Sequence, residues 1–288
     1  MLNKGLRRQE SKTGLVFITP VLIWYAIFFW IPLVFVFAVS FTKWDMFNPM
    51  KAVGLKNYSK LFTDPYFLKS LSISLIYTLS TTGLLVFLGM LFAILFNRPG
   101  VVASLARMLF FMTAIVPLIS AGAIWVWITG PEPYSALNSL MSFLGLGRKK
   151  WLADADLALL CVIGFIVWKN TGFNTLIYTA GLRGIPSVYV DAAKIDGATR
   201  FHIVKDIIVP LLRPITLFLI ITNMIAGWNV FTPVWFLTKG GPGSATRVLS
   251  TYIYEYGFNR YQFGFASASA VVLISIVLIF TYIRLRKL

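Results

Sequence analysis

Long runs without Asp, Glu, Lys or Arg dominate this sequence of 288 residues and limit what it can fold into. A helix that crosses a bilayer needs about 20 mostly apolar residues. Five uncharged runs reach that length, and a sixth, residues 157–182, contains one charged residue, Lys169. The five are residues 13–42, 70–97, 108–131, 214–238 and 261–283. The runs predict six transmembrane helices, at about 14–41, 70–96, 108–131, 157–181, 214–238 and 261–283.

The composition agrees with a lipid environment. Hydrophobic residues make up 58% of the chain and charged residues 12%, whereas a soluble domain has about 25% charged residues. A formal net charge of +16 in a soluble protein would suggest nucleic acid. Here the basic residues lie in short segments between apolar runs, so we expect the lipid bilayer as a partner and no nucleic acid. The sequence therefore predicts an all-α polytopic membrane protein.

The distribution of Lys and Arg predicts the orientation. If the N-terminus is cytoplasmic, the inner segments hold 14 of these residues and the outer loops hold 11. Because inner loops carry an excess of Lys and Arg, we expect both termini to be cytoplasmic. The predicted organisation is a cytoplasmic tail over residues 1–13 and a membrane core over 14–288. Residues 133–147 are uncharged but too short and polar to span, so they predict an interfacial helix.

The segment between the fourth and fifth predicted helices, residues 182–213, has its own helix signals. Ser187 is a good N-cap for a short helix over Val188–Ile195, and Gly197 can adopt a left-handed turn after it. Thr199 can cap a second helix that runs towards Pro210. The pattern predicts an ordered helix-turn-helix rather than a solvated connector.

This loop carries a spaced motif. Asp191-Ala192-Ala193 is followed by three residues, Gly197, nine residues, Ile207, one residue and Val209-Pro210. The spacing resembles the EAA loop of ABC importer permeases, with Asp in place of Glu and Val in place of Leu. The segments at 181–186, 237–242, 252–254 and 265–268 resemble the carbohydrate branch, as in the first permease subunits of the maltose and glycerol-phosphate type. The resemblance assigns ATPase coupling to Asp191, Ala192, Ala193, Asp196, Gly197, Ile207 and Pro210.

The resemblance also implies a fold and a set of partners. The fold is the type I ABC importer permease, with six transmembrane helices and a cytoplasmic coupling loop, in a bacterial or archaeal inner membrane. The partners are a second homologous permease, two ATPase subunits and an extracytoplasmic solute-binding protein. The sequence has no Gly-x-x-x-x-Gly-Lys-Ser/Thr loop, so we expect ATP and Mg to be bound by the partner ATPase and no cofactor in this chain.

Two other classes of protein are less consistent with the sequence. A self-sufficient secondary carrier or channel needs ion-coupling carboxylates in the membrane, and the six predicted helices contain no Asp or Glu. A polytopic enzyme is disfavoured because no predicted helix pairs a nucleophile with a base, so no catalytic residue is assigned. The single Cys161 and single His202 exclude an internal disulfide and a metal site built from several cysteines or histidines.

Polar residues inside two predicted helices indicate a substrate pathway, because such residues usually face a bundle interior or a wet cavity. Aromatic and amide groups suit sugars. The candidates are Lys169, Asn170, Phe173, Asn174, Asn223, Gly227, Trp228 and Asn229. Lys169 could balance an anionic substrate, such as a uronate or a sugar phosphate. Alternatively, Lys169 binds backbone carbonyls or a carboxylate of a partner, and the asparagines only bridge helices.

Overall fold

The computed structural model describes residues 4–97 and 100–286. The chain forms two compact units. One contains the residues up to Thr63 together with Ile253–Val272, and the other contains Asp64–Tyr252 together with the residues from Leu273 onward. The predicted N-terminal tail, residues 1–13, lies partly outside the described residues, and its described part is already helical from Lys4.

The first unit contains the N-terminal helices and a small hairpin. Asn57 donates hydrogen bonds to the carbonyl oxygens of Ser40 and Thr42 and so ties the third helix to the hairpin. Its elements are α1 (Lys4–Tyr25), a π-helical turn (Ala26–Trp30), α2 (Ile31–Val39), β1 (Thr42–Lys43), the antiparallel β2 (Lys51–Ala52) and α3 (Lys56–Thr63).

The second unit contains most of the remaining helices. They are α4 (Pro65–Leu95), α5 (Val101–Ile115), α6 (Leu118–Ile128), α7 (Ala136–Phe143), α8 (Ala155–Arg183), α9 (Ser187–Ile195), α10 (Arg200–His202), a π-helical turn (Ile203–Ile208), α11 (Val209–Leu211), α12 (Arg213–Trp228) and α13 (Thr232–Leu237). The C-terminal elements are α14 (Leu249–Tyr254), a π-helical turn (Glu255–Asn259) and α15 (Phe263–Leu285).

Helices α4 and α8 form the centre of the second unit. Every fourth residue of the first two-thirds of α4 is a buried Ser or Thr: Ser70, Ser74, Thr78 and Thr82. Small polar side chains allow membrane helices to approach closely. Larger side chains, such as Tyr77 and Phe165, fill the surrounding core.

Four of the described helical segments are long and apolar enough to span a membrane: Thr13–Val39, Pro65–Leu95, Ala155–Arg183 and Phe263–Ile283. Two further pairs of helices reach this length only when each bent pair is taken as one span. Helix α5 meets α6 at 108°, and the helix ending at Leu211 meets α12 at 63°. By length and composition, the described residues therefore contain four candidate spans, or up to six if each bent pair is one span.

The sequence predicts one transmembrane helix over each of 108–131 and 214–238, and the structure divides each of these runs into two helices. Helix α5 ends before Pro117, and Val116 has φ −57° and ψ 131°, because the residue before a proline avoids the α-helical region. The second run is divided between α12 and α13 by a break at residues 229–231.

The loop between α6 and α8 is organised by one buried asparagine. Asn138 donates hydrogen bonds to the carbonyls of Gly130, Glu132 and Lys149. Its own carbonyl accepts from the Lys149 N–H and the Trp151 Nε1–H. The predicted interfacial segment therefore contains a short helix, α7, held in place through Asn138.

Candidate functional site

A cavity of about 250 Å³ lies within the second unit, where α4, α8 and α12 meet. Four of the residues that the sequence singled out contribute to its wall: Asn170, Asn223, Gly227 and Asn229. The amide groups can donate and accept hydrogen bonds, while Gly227 offers no side chain. The structure thus brings together half of the predicted pathway residues around one space.

The asparagines do not all have the same role. Asn223 donates to the Asn174 side-chain carbonyl at 2.8 Å, and Asn174 donates to the Asn170 backbone carbonyl at 3.0 Å. Asn174 is buried and lies outside the cavity wall. It therefore bridges α8 and α12, whereas Asn170 and Asn229 line the cavity.

Lys169 lies beside the break between α5 and α6. Its Nζ donates to the carbonyls of Val116 at 2.7 Å and of Thr113 and Ala114 at 3.3 Å each. A helix end leaves carbonyls without intrahelical partners and carries partial negative charge, so an ammonium there is favourable. Lys169 is 7% exposed and does not line the cavity. The geometry matches the alternative in which Lys169 binds backbone carbonyls.

The two predicted aromatic residues also lie outside the cavity wall. Phe173 is half exposed, and Trp228 is buried. The aromatic side chains of the wall are Tyr77 and Phe231. These two aromatic candidates are thus not part of the cavity wall.

Gly227 permits a close helix crossing. A Cβ atom at this position would lie 2.8 Å from Thr78 Cγ2 and 3.1 Å from Thr78 Cα. A side chain here would force Thr78 or the helices to shift, because α12 approaches α4 closely at this point.

Sequence reasoning missed the contribution of α4. Tyr77 and Thr81 line the cavity, one residue before Thr78 and Thr82 of the buried polar series. The four-residue spacing of Ser and Thr in the second uncharged run was a signal that could have marked this face.

The loop with the spaced motif presents the short helix α9. Its N-cap is Pro186 rather than the predicted Ser187, and no side chain caps it. Gly197 has φ +78°, which confirms the predicted left-handed turn. The Thr199 side chain accepts from the His202 N–H, as predicted for a second cap. Asp196 is the C-cap of α9, while Ile207 and Pro210 lie on the following helical segment.

Much of the apolar surface of this loop is exposed. Ile195 is 87% exposed, and Val188, Tyr189 and Phe201 are each more than half exposed. The Asp191 carboxylate accepts from Lys194 Nζ at 2.9 Å, an exposed pair that contributes little to stability. Ala192 is exposed and Ala193 is half-buried, and both side chains are small. This part of α9 is therefore open to close contact with a partner.

The fold and this loop together define an integral membrane permease. Residues 85–288 match the family described as binding-protein-dependent transport system inner membrane component, and the chain belongs to that family of ABC transporter permeases. Among the described residues there is no group of His, Cys, Asp and Glu side chains that could hold a metal ion.

Relatives cover nearly the whole chain. It is 33% identical to the probable ABC transporter permease protein YesP of Bacillus subtilis, over 88% of this chain and 83% of that protein. It is 31% identical to the trehalose/maltose transport system permease protein MalF of Thermococcus litoralis, over 99% and 96%. A bacterial alginate ABC transporter, solved with an alginate-bound periplasmic protein, shares the fold: TM-score 0.83, 20% identity, 98% of this chain and 95% of that one.

Proposed function

We propose that this chain is the transmembrane subunit of an ATP-driven, binding-protein-dependent importer for sugars or oligosaccharides. Family membership supports the transport role, and the relative named for trehalose and maltose supports the substrate class. The chain would form half of the translocation pathway beside a second homologous permease. Because the sequence lacks a phosphate-binding loop, ATP and Mg would be bound and ATP hydrolysed by two separate ATPase subunits.

The observation that carries the coupling role is the exposed apolar face of α9, formed by Val188, Tyr189 and Ile195. A short helix held between two long membrane helices can transmit a push or pull from a partner into the membrane. Exposed apolar side chains on such a helix mark a surface that a partner covers. We assign this surface to the ATPase, which places α9 and both termini on the cytoplasmic side of a bacterial or archaeal inner membrane.

The amide and aromatic side chains of the cavity wall are suited to binding a sugar. Asn170, Asn223 and Asn229 supply amides for sugar hydroxyls, and Tyr77 supplies an aromatic ring for an apolar sugar face. An extracytoplasmic binding protein would deliver the sugar to this pathway. The 250 Å³ space is small for an oligosaccharide, so passage requires a wider state than this one.

The charge of the substrate is a separate question. An anionic substrate was inferred from Lys169, but that ammonium already has three carbonyl acceptors. We therefore propose a substrate selected by hydroxyl and aromatic contacts, with no contribution from Lys169 to its charge.

The coupling role is tested with Ile195→Glu in the complete complex in proteoliposomes. Burying an unpaired carboxylate in the apolar interface between α9 and the ATPase is costly. We therefore expect the rate of ATP hydrolysis during transport to fall about tenfold. Phe143→Glu on α7 is the matched control, since Phe143 is also 87% exposed but lies outside the loop. Equal activity of both variants would contradict the assignment.

The competing function is a self-sufficient carrier. A carrier would purify from native membranes without an ATPase or a second permease.

A further inference from the structure

A second, larger cavity of about 710 Å³ lies within the first unit, and none of the proposed pathway residues contributes to its wall. That wall contains Lys43, Lys51, Lys56 and Lys60 and a single acidic residue, Asp45, which gives a formal charge of +3. Among the described residues, no carboxylate lies within 4.0 Å of these four ammonium groups. The cavity is therefore suited to an anion.

The carboxylate of Asp45 is bound to its own turn rather than to the lysines. Its carboxylate accepts from the backbone N–H groups of Asn48 at 2.8 Å and Phe47 at 3.1 Å, and from the Asn48 side chain at 2.7 Å. These hydrogen bonds, chiefly that from the Asn48 backbone, lower the pKa of Asp45, so its charge is fixed at neutral pH.

Two close contacts at the start of α15 fix the elements that form this cavity. Gly264 at the start of α15 approaches the hairpin so closely that a Cβ atom would meet the Thr42 carbonyl oxygen at 1.8 Å. The Lys60 ammonium lies 5.1 Å from the centre of the buried Phe265 ring, a cation–π distance. These contacts fix the start of α15 against the hairpin and hold Lys60 in the cavity wall.

The position of the cavity indicates the kind of anion. Lys43 lies four residues after Val39, the last residue of α2. Gly264 and Phe265 lie in the first turn of α15. The cavity therefore lies where two apolar segments end. Lipid headgroups occupy this level of a membrane, and Trp and Tyr side chains concentrate there. Trp44 and Tyr261 are both in the wall.

An apolar surface continues from the cavity along α2. The Trp44 ring contacts the ring of Phe35 with centroids 6.0 Å apart. Phe35 is half exposed, and so are Val34 and Phe37 on the same helix. A soluble anion would use only the lysines, whereas a lipid would use both the lysines and this surface.

We propose that this cavity binds the headgroup of an anionic phospholipid, with the acyl chains against α2. The lysines contact the phosphate, and the asparagine and glutamine side chains of the wall contact the headgroup hydroxyls. Basic pockets beside transmembrane helices bind lipid headgroups in this manner. The inference requires only that the chain spans a membrane, so it does not depend on the transported substrate.

The test is native mass spectrometry of the complete complex in detergent, titrated with phosphatidylglycerol or phosphatidylcholine of the same acyl chains. We expect preferential retention of phosphatidylglycerol. Lys51→Gln/Lys56→Gln should weaken phosphatidylglycerol binding about tenfold or more, because each lysine near an anionic headgroup contributes to its binding. The control Lys149→Gln/Lys150→Gln removes the same charge from an exposed loop outside the cavity and should leave binding within about twofold.

Four results would overturn the proposal. Equal retention of the two lipids, or equal loss in both double variants, would show only general attraction to a basic protein. Binding of glycerol 3-phosphate as tightly as the lipid would show a site for a soluble anion. Loss of binding-protein capture by Lys51→Gln/Lys56→Gln, with lipid retention unchanged, would make the cavity a protein docking surface. The lysines are exposed, so the variants should fold, which thermal unfolding would verify.

Discussion

The buried ammonium group of Lys169 donates hydrogen bonds to the carbonyls at the C-terminal end of α5. Three carbonyls at the end of α5 and before Pro117 converge on its Nζ, and the Thr113 hydroxyl donates in return to the Lys169 carbonyl at 3.2 Å. Burial of an unpaired charge is very costly, but here the charge satisfies carbonyls that the broken helix would leave without partners. Lys169 therefore stabilises the bend between α5 and α6.

Replacement of this residue separates a structural role from a substrate role. Lys169→Met leaves three carbonyls without a donor, which we expect to destabilise the protein by about 2 kcal/mol. The ratio of acidic to neutral sugar uptake should not change. Thermal unfolding and paired uptake assays measure the two effects, with the exposed Lys150→Met as control. A variant of normal stability that loses only acidic sugars would show that Lys169 faces the substrate.

The sequence could identify Lys169 as unusual but not find its partners. The acceptors are backbone atoms 53 to 56 residues earlier in the chain, and carbonyls carry no sequence signature. The same limit applies to Asn174, whose partner Asn223 is 49 residues away. Asn170, Asn223, Gly227 and Asn229 do line one cavity, and the three asparagines could be grouped from the sequence because polar residues within apolar runs tend to face one interior space.

Where α12 crosses α4, one missing side chain sets the distance between the helices. Gly227→Ala would bring a Cβ to 2.8 Å from Thr78 Cγ2, and we expect a loss of about 1–3 kcal/mol. Thr78→Ala removes the two closest atoms, Cγ2 and Oγ1, and should restore part of this stability. Gly83→Ala on α4 is the control, since a Cβ added at Gly83 would have no neighbouring atom within 4 Å. Equal thermal stability of Gly227→Ala and Gly83→Ala would contradict this packing argument.

The turn after α9 provides a test that does not involve internal packing. Gly197 has φ +78° and open space around it, so Gly197→Trp is strained by about 1–2 kcal/mol but its Cβ meets no atom of its own chain. We expect normal membrane insertion and ATP hydrolysis uncoupled from transport. Gly54→Trp, at φ +58° and also in open space, is the matched control. Normal transport by Gly197→Trp would show that α9 does not dock on the ATPase.

The uncharged runs coincide with single helices where the chain is straight, and they are divided between helices where it bends. The runs at 70–97 and 157–182 correspond to single helices, α4 and α8. The runs at 108–131 and 214–238 do not, because a window without charges measures only length and polarity. Pro117 was visible in the sequence, but its effect depends on whether neighbouring groups satisfy the freed carbonyls, which Lys169 does.

For the whole molecule, topology decides which compartment each cavity and the exposed face of α9 meet. The excess of Lys and Arg, 14 against 11, is modest evidence for the proposed orientation. Four of the basic residues surround the cavity of the first unit, where a lipid phosphate would offset part of their charge.

Cysteine labelling in intact cells measures the orientation. Ser187 on α9 and Lys149 in the α7–α8 loop are both exposed, and Cys161 is buried. With a membrane-impermeant maleimide, Lys149→Cys should react in intact cells, whereas Ser187→Cys should react only after permeabilisation. The unsubstituted chain is the control, because burial keeps Cys161 from the reagent. Labelling of Ser187→Cys in intact cells would reverse the topology and remove α9 from any cytoplasmic ATPase, while leaving the proposed lipid site unaffected.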